Sequence, residues 1–203
     1  MGEVDKKQIK SKKRVQDFGE VYTNDREINA MLDLVKDESY DITSTFFEPA
    51  CGNGNFLIKI LERKLYSVAY RYSNNRNLFE IYSLVAFSSI YGIDIQEDNI
   101  EESKKRLLNW YCEMYYYYFR VYPSKTHLDK ICFVLNCNIL CGNSLTYQMN
   151  NGNELLISEW MLLPDYRFKR RQFRLQDMIE CDTPKPINKA KYYDWYYAQL
   201  CAQ

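Results

Sequence analysis

The sequence predicts an α/β fold with a mostly parallel sheet, in one domain. Three observations predict it. Short apolar runs that stop at turns, such as "STFFEPA" and "YGIDI", alternate with longer segments whose apolar residues recur at helical spacing. A turn with two glycines, "CGNG" at 51–54, sits between the first run and the helical segment that follows. No internal repeat or flexible linker divides the chain.

Residues 1–16 are polar and lysine-rich, which predicts a flexible basic N-terminus ahead of a single domain over 17–203. "DREINAMLDLVK" places Ile28, Met31, Leu32 and Val35 one helical turn apart, with Asn24 or Asp25 as N-cap. "STFFEPA" reads as a short buried strand. "NFLIKILERKLYSVAYRY" reads as an amphipathic helix with Phe56, Ile60, Leu61 and Leu65 on one side, broken at "SNNRN". "LFEIYSLVAFSSI" resumes as a helix, and "YGIDI" is the next strand. "QEDNIEESKKRLLNWYCEMYYYYF" is helical, with Ile100, Leu107 and Leu108 inward. A strand follows around 137–141, then a turn at "CGNSL". "NELLISEWML" is a candidate fourth strand, "YRFKRRQFRL" a further one, and "LQDMIE" a short helix; the last twenty residues are ambiguous.

Composition bounds the function. The 203 residues carry 27 Lys+Arg and 27 Asp+Glu, so no whole-protein attraction to nucleic acid follows. Two local patches are basic. Residues 1–14 hold six Lys/Arg against two acids, and "RFKRRQFR" at 167–174 holds five basic residues and no acid. Each is either a phosphate-facing patch or an ordinary solvated surface. The seven cysteines are odd in number and irregularly spaced, without C-x-x-C, which predicts reduced thiols in a cytoplasmic protein. A single histidine makes a zinc site improbable, and no apolar run is long enough to span a membrane. Tyrosine is abundant at 19, with "YCEMYYYYFRVY" at 111–122. A contiguous run points all around a helix, so it reads either as a base-stacking surface or as a helix wedged into the core with some hydroxyls outside.

In parallel sheets, ligands sit beyond the carboxyl ends of the strands. Gly52 and Gly54 follow the first strand and let a ligand approach the backbone without a Cβ in the way. The helix start beyond them offers free N–H groups. Asp94 ends the second strand, placed to accept hydrogen bonds from a ribose diol. It follows Gly52 by 42 residues rather than the ~20 of dinucleotide folds. Leu57 stands where those folds need a third glycine, which disfavours a pyrophosphate. Asn143 and Ser144 after the third strand suit an adenine edge, and Tyr22 and Thr23 before the first helix suit a carboxylate. Together these positions complement S-adenosylmethionine (SAM).

"FGEVYTN", "FEPACGNGNFL", "YGIDI" and "ILCGNSL", in that order, resemble the adenine-N6 DNA methyltransferases of bacterial restriction-modification systems. Those proteins carry G-E-V-[FY]-T-P ahead of D-P-A-C-G-[ST]-G-x-F-L, and the likeness covers about residues 15–150. The resemblance implies a Rossmann-like SAM-dependent methyltransferase fold, minimal or truncated at its C-terminal end. It implies that Tyr22 and Thr23 lie near the methionine moiety and that Glu48, Ala50, Cys51, Gly52 and Gly54 line the amino acid and ribose. Asp94 would bind the ribose hydroxyls, Ile95 the adenine face and Asn143 the adenine edge. Glu48 and Asn24 replace the more usual Asp and Pro.

The family's catalytic [DNS]-P-P-[YFW] has no counterpart, because the chain contains no P-P dipeptide. Ser158, Glu159 and Trp160 supply a polar group and a ring at the corresponding place and are the catalytic candidates; alternatively Trp160 is a core residue at a strand end. Two functions follow from the resemblance. One is SAM-dependent methylation of adenine in DNA, with a protein partner supplying target recognition or missing strands. The other is a SAM-binding partner or regulatory subunit that transfers no methyl group itself. Methylation of RNA, protein or a small molecule is a third reading.

Overall fold

A computed structural model describes residues 23–196. The chain is mixed α/β. Helices α1 (Asp25–Leu34) and α2 (Lys36–Tyr40) precede strand β1 (Phe46–Glu48). Helices α3 (Asn55–Tyr72) and α4 (Arg76–Ser88) lead to β2 (Ile90–Asp94), and α5 (Glu97–Phe119) and α6 (Lys125–Asn138) lead to β3 (Ile139–Asn143). Strands β4 (Gln148–Met149), β5 (Leu156–Leu162) and β6 (Phe168–Arg174), helix α7 (Leu175–Glu180) and strand β7 (Lys191–Tyr193) complete it. Among the described residues, no helix is long and apolar enough to cross a membrane, and every cysteine is free.

Local chemistry sets most boundaries. Asn24 caps α1 by accepting from the Arg26 N–H at 2.7 Å. Asn75, in the predicted "SNNRN" break, caps α4 through the Leu78 N–H at 3.1 Å, so the break starts a new helix. Cys137 and Asn138 still belong to α6, and the third strand begins two residues later than the sequence suggests.

β1, β2 and β3 pair in parallel in that order, and β4 adds antiparallel to β3. Side chains alternate across β2. Gly92 turns toward α3, where a Cβ would come 2.8 Å from Leu57 Cδ1 and 2.9 Å from Cys51 Sγ. Tyr91 and Ile93 turn the other way, into a small core with Leu155, Ile157 and Leu175. That second face is covered by a separate antiparallel sheet, β5–β6–β7. The Tyr91 hydroxyl donates to the Ser158 carbonyl at 2.6 Å and links the two sheets.

β5 therefore departs from expectation: it is a strand, but it does not extend the parallel sheet. The reason lies in its connection. A parallel neighbour needs a crossover of about a dozen residues or more, usually helical. The segment after β3 holds no helix and doubles back as β4. β5 then turns into β6 through a short loop closed by Leu163 N–H to Arg167 C=O at 2.8 Å, which leaves only antiparallel pairing.

A buried polar network ties the C-terminal end to the helices. His127 bridges the Tyr111 and Tyr196 hydroxyls at 2.7 and 2.9 Å, and Tyr115 donates to Glu80 at 2.5 Å. Burial pushes the His127 imidazole down to about 3, so it stays neutral, donating through one nitrogen and accepting through the other. The tyrosine run divides accordingly: Tyr111 and Tyr115 are fully buried, while Tyr116, Tyr117 and Tyr122 are exposed.

Candidate cofactor site

The carboxyl ends of β1, β2 and β3 open on a cavity of about 460 Å³, within the ~300–1,000 Å³ usual for small-molecule sites. Its base is the turn after β1. Cys51 N–H donates to the Ile93 carbonyl and Gly54 N–H to the Cys51 carbonyl, both at 2.9 Å, so the turn is hung from β2 and closed on itself. Gly52 and Gly54 have φ of 51° and 84°, in the left-handed region. Gly54 is also the N-cap of α3. A Cβ there would sit 2.3 Å from Ser103 Oγ on α5, so glycine is what lets the two helices meet below the pocket.

Asp94 reaches back across the strand ends. Its Oδ2 accepts from Gly52 N–H at 3.0 Å, and its Oδ1 accepts from Gln96 N–H at 2.8 Å. The carboxylate borders the cavity rather than the apolar interior. Oδ1 also accepts from Asn99 Nδ2 at 3.4 Å, so Oδ2 is the oxygen that keeps a lone pair for a further donor. Asn143 Oδ1 is taken by the Leu145 N–H at 2.9 Å, which leaves its Nδ2 as the group that can serve a ligand. Glu48 stands at the β1 tip, where burial raises its carboxyl above the usual 4.5. Burial raises the Cys51 thiol as well, with Asp94 and Glu48 adding to it, so Cys51 is no thiolate nucleophile.

Among the described residues, the lining carries two carboxylates, Glu48 and Asp94, and no Lys, Arg or His. A phosphate would meet net repulsion there; a cation flanked by hydroxyls would not. Asn53 Oδ1, at the turn, is buried without a partner among the described residues. Its Nδ2 donates to Glu102 at 3.2 Å, which fixes the amide so that the orphaned atom is the acceptor. Arg106 Nη1 donates to the Asn53 backbone carbonyl at 2.7 Å and steadies the turn.

The cavity brings together Thr23, Glu48, Ala50, Cys51, Gly52, Asp94, Ile95 and Asn143. Gly54 does not line it and abuts Ser103 instead, and Tyr22 falls outside the described residues. Sequence reasoning missed Asn53, Phe56, Gln96 and Asn99, which also line it. Phe56 and Asn99 lie in the first turns of α3 and α5, where helix periodicity was a usable signal, while Asn53 and Gln96 lie in the turns just before those helices.

Ser158, Glu159 and Trp160 are not brought to the cavity. Ser158 is fully buried in β5, and its Oγ accepts from Arg170 Nε at 2.8 Å. Glu159 pairs with Arg171 at 2.5 Å. Trp160 donates its indole N–H to Asn138 Oδ1 at 3.0 Å and packs beside Phe133, Tyr193 and Trp195. Their partners are those of a sheet interior and rim. The basic run on β6 is largely spent in the same way. Arg171 and Arg174 pair with Glu159 and Glu154, Arg167 with Asp165, and Arg170 lies over Trp160 and Phe133.

No protein-family model, curated protein or solved structure matches the chain. Among the described residues, no cluster of His, Cys, Asp and Glu could hold a metal ion.

Proposed function

We infer that the chain binds SAM in the β1–β2–β3 crevice and serves adenine-N6 DNA methylation as a cofactor-binding, Rossmann-like methyltransferase module. The observation that carries this reading is the lining itself. It places a glycine turn, a strand-end carboxylate and a second carboxylate around one cavity, with no cationic side chain among the described residues. SAM supplies an electrophilic methyl on a sulfonium and a cationic amino group. Glu48 suits those positive centres, Asp94 suits the ribose diol, and Ile95 with Phe56 offers apolar surface to a purine.

The same geometry favours the reading in which this chain does not transfer the methyl group alone. The three residues standing where the family has its catalytic motif are engaged in β5, on the covered face of the sheet. A base acceptor therefore draws its catalytic groups from a partner protein. Calorimetry with SAM, followed by a labelled-methyl transfer assay on duplex DNA, tests both parts. The reading predicts saturable binding and no transfer by the chain alone. Absence of binding at millimolar SAM removes it; transfer by the isolated chain removes the partner requirement and restores an autonomous enzyme.

A further inference from the structure

The exposed part of the tyrosine run has a geometry of its own. On α5, Trp110, Glu113, Met114, Tyr117 and Tyr118 fall at i, i+3, i+4, i+7 and i+8, one face of the helix. With Tyr66 of α3 they line a cavity of about 340 Å³, and none of them lines the SAM crevice. Met114 is buried and forms the floor, while Tyr66 and Tyr117 stand half or more exposed at the walls. The rings meet at right angles: Tyr66 and Trp110 with centroids 6.2 Å apart at 90°, Tyr117 and Tyr118 with centroids 5.1 Å apart at 88°.

We propose that this groove between α3 and α5 binds a methylated ammonium cation. Aromatic rings set at right angles line one open groove, and a ring face, negative at its centre, attracts a cation. Among the described residues, the one charged side chain that lines the groove is Glu113, an acid, so the lining favours a cation. Methylation matters because a bare ammonium keeps its water, whereas methyl groups shed water and pack on rings and on Met114. Tyr117 shows the affinity within the chain itself, since the Arg120 guanidinium lies over its ring at 5.7 Å. The head can come from a free quaternary amine or from a methylated lysine of a protein; the chemistry recognised is the same.

The test uses the full chain and the indole N–H resonance of Trp110 in titrations with choline, with Nε-trimethyllysine, and with 3,3-dimethylbutan-1-ol, the uncharged carbon analogue of choline. The expected result is saturable shifts with at least one cation and affinity about tenfold weaker for the uncharged analogue. Binding by choline alone assigns a free amine, and binding by trimethyllysine assigns a peptide source. Tyr66→Ala and Tyr117→Ala are expected to weaken the cation about fivefold each, and Tyr117→Phe to retain it. Equal affinity for the uncharged analogue, no saturation by either cation, or undiminished binding in both alanine variants overturns the proposal.

Discussion

The carboxylate of Asp94 and the backbone N–H of Gly52 lie 3.0 Å apart, joined by a hydrogen bond that spans 42 positions of sequence. This bond holds the glycine turn against the end of β2, so one residue shapes the crevice and furnishes an acceptor to whatever fills it. A hydrogen bond to a charged group contributes about 1.5–3 kcal/mol. Asp94→Ala is therefore expected to weaken SAM roughly ten- to hundredfold by calorimetry, and to lower stability by about 1–3 kcal/mol in urea denaturation.

Two glycines with nearly equal φ separate strain from sterics. Gly54 at 84° would place a Cβ against Ser103, while Gly152 at 82° has nothing within 4 Å. Gly152→Ala should cost only the left-handed penalty, about 1–2 kcal/mol. Gly54→Ala should cost more, by an additional ~1–3 kcal/mol as α3 and α5 are pushed apart. Paired urea titrations read the difference.

Glu48 gives the pH dependence. Burial raises its carboxyl above 4.5, so the folded protein keeps a proton that the unfolded chain has released. As pH climbs from 4.5 toward neutrality, the empty fold therefore loses some stability. Over the same window Glu48 becomes charged, and its attraction for a cationic methyl donor grows. SAM affinity should rise with pH there, and Glu48→Gln should flatten the rise. Calorimetry on both proteins at several pH values checks the sign.

The residues of β5 should matter to folding and not to the crevice. Trp160→Ala removes a ring packed against three others and strands the buried Asn138 carbonyl oxygen, so a loss of about 2–4 kcal/mol is expected. Glu159→Ala breaks a half-exposed ion pair and should cost under ~1 kcal/mol. Both variants should bind SAM within about twofold of wild type. Denaturation and calorimetry on the same preparations decide it.

Local chemistry made most of this fold legible. Apolar periodicity located α1, α3, α4, α5 and the parallel strands but not α6 (Lys125–Asn138), and the Asn75 cap explains why "SNNRN" divides two helices. Glycines and the strand-end acid located the crevice, because a turn that admits a ligand and an acid that ends an apolar strand are readable one residue at a time. The pairing partner of β5 was not readable in that way. Its alternation announces a strand but not a sheet, and the choice falls to the helix-free segment before it and to the short loop before β6. The fate of the arginines on β6 was hidden for the same reason, since each finds its acid or ring only after the hairpin has set the register.

The most direct measurement is amide NMR of the full chain during titration with SAM. The account predicts saturable shifts centred on Gly52, Gln96 and Leu145, the N–H groups held by Asp94 and Asn143, with β5 resonances unmoved. Shifts confined elsewhere, or none at millimolar SAM, would contradict it.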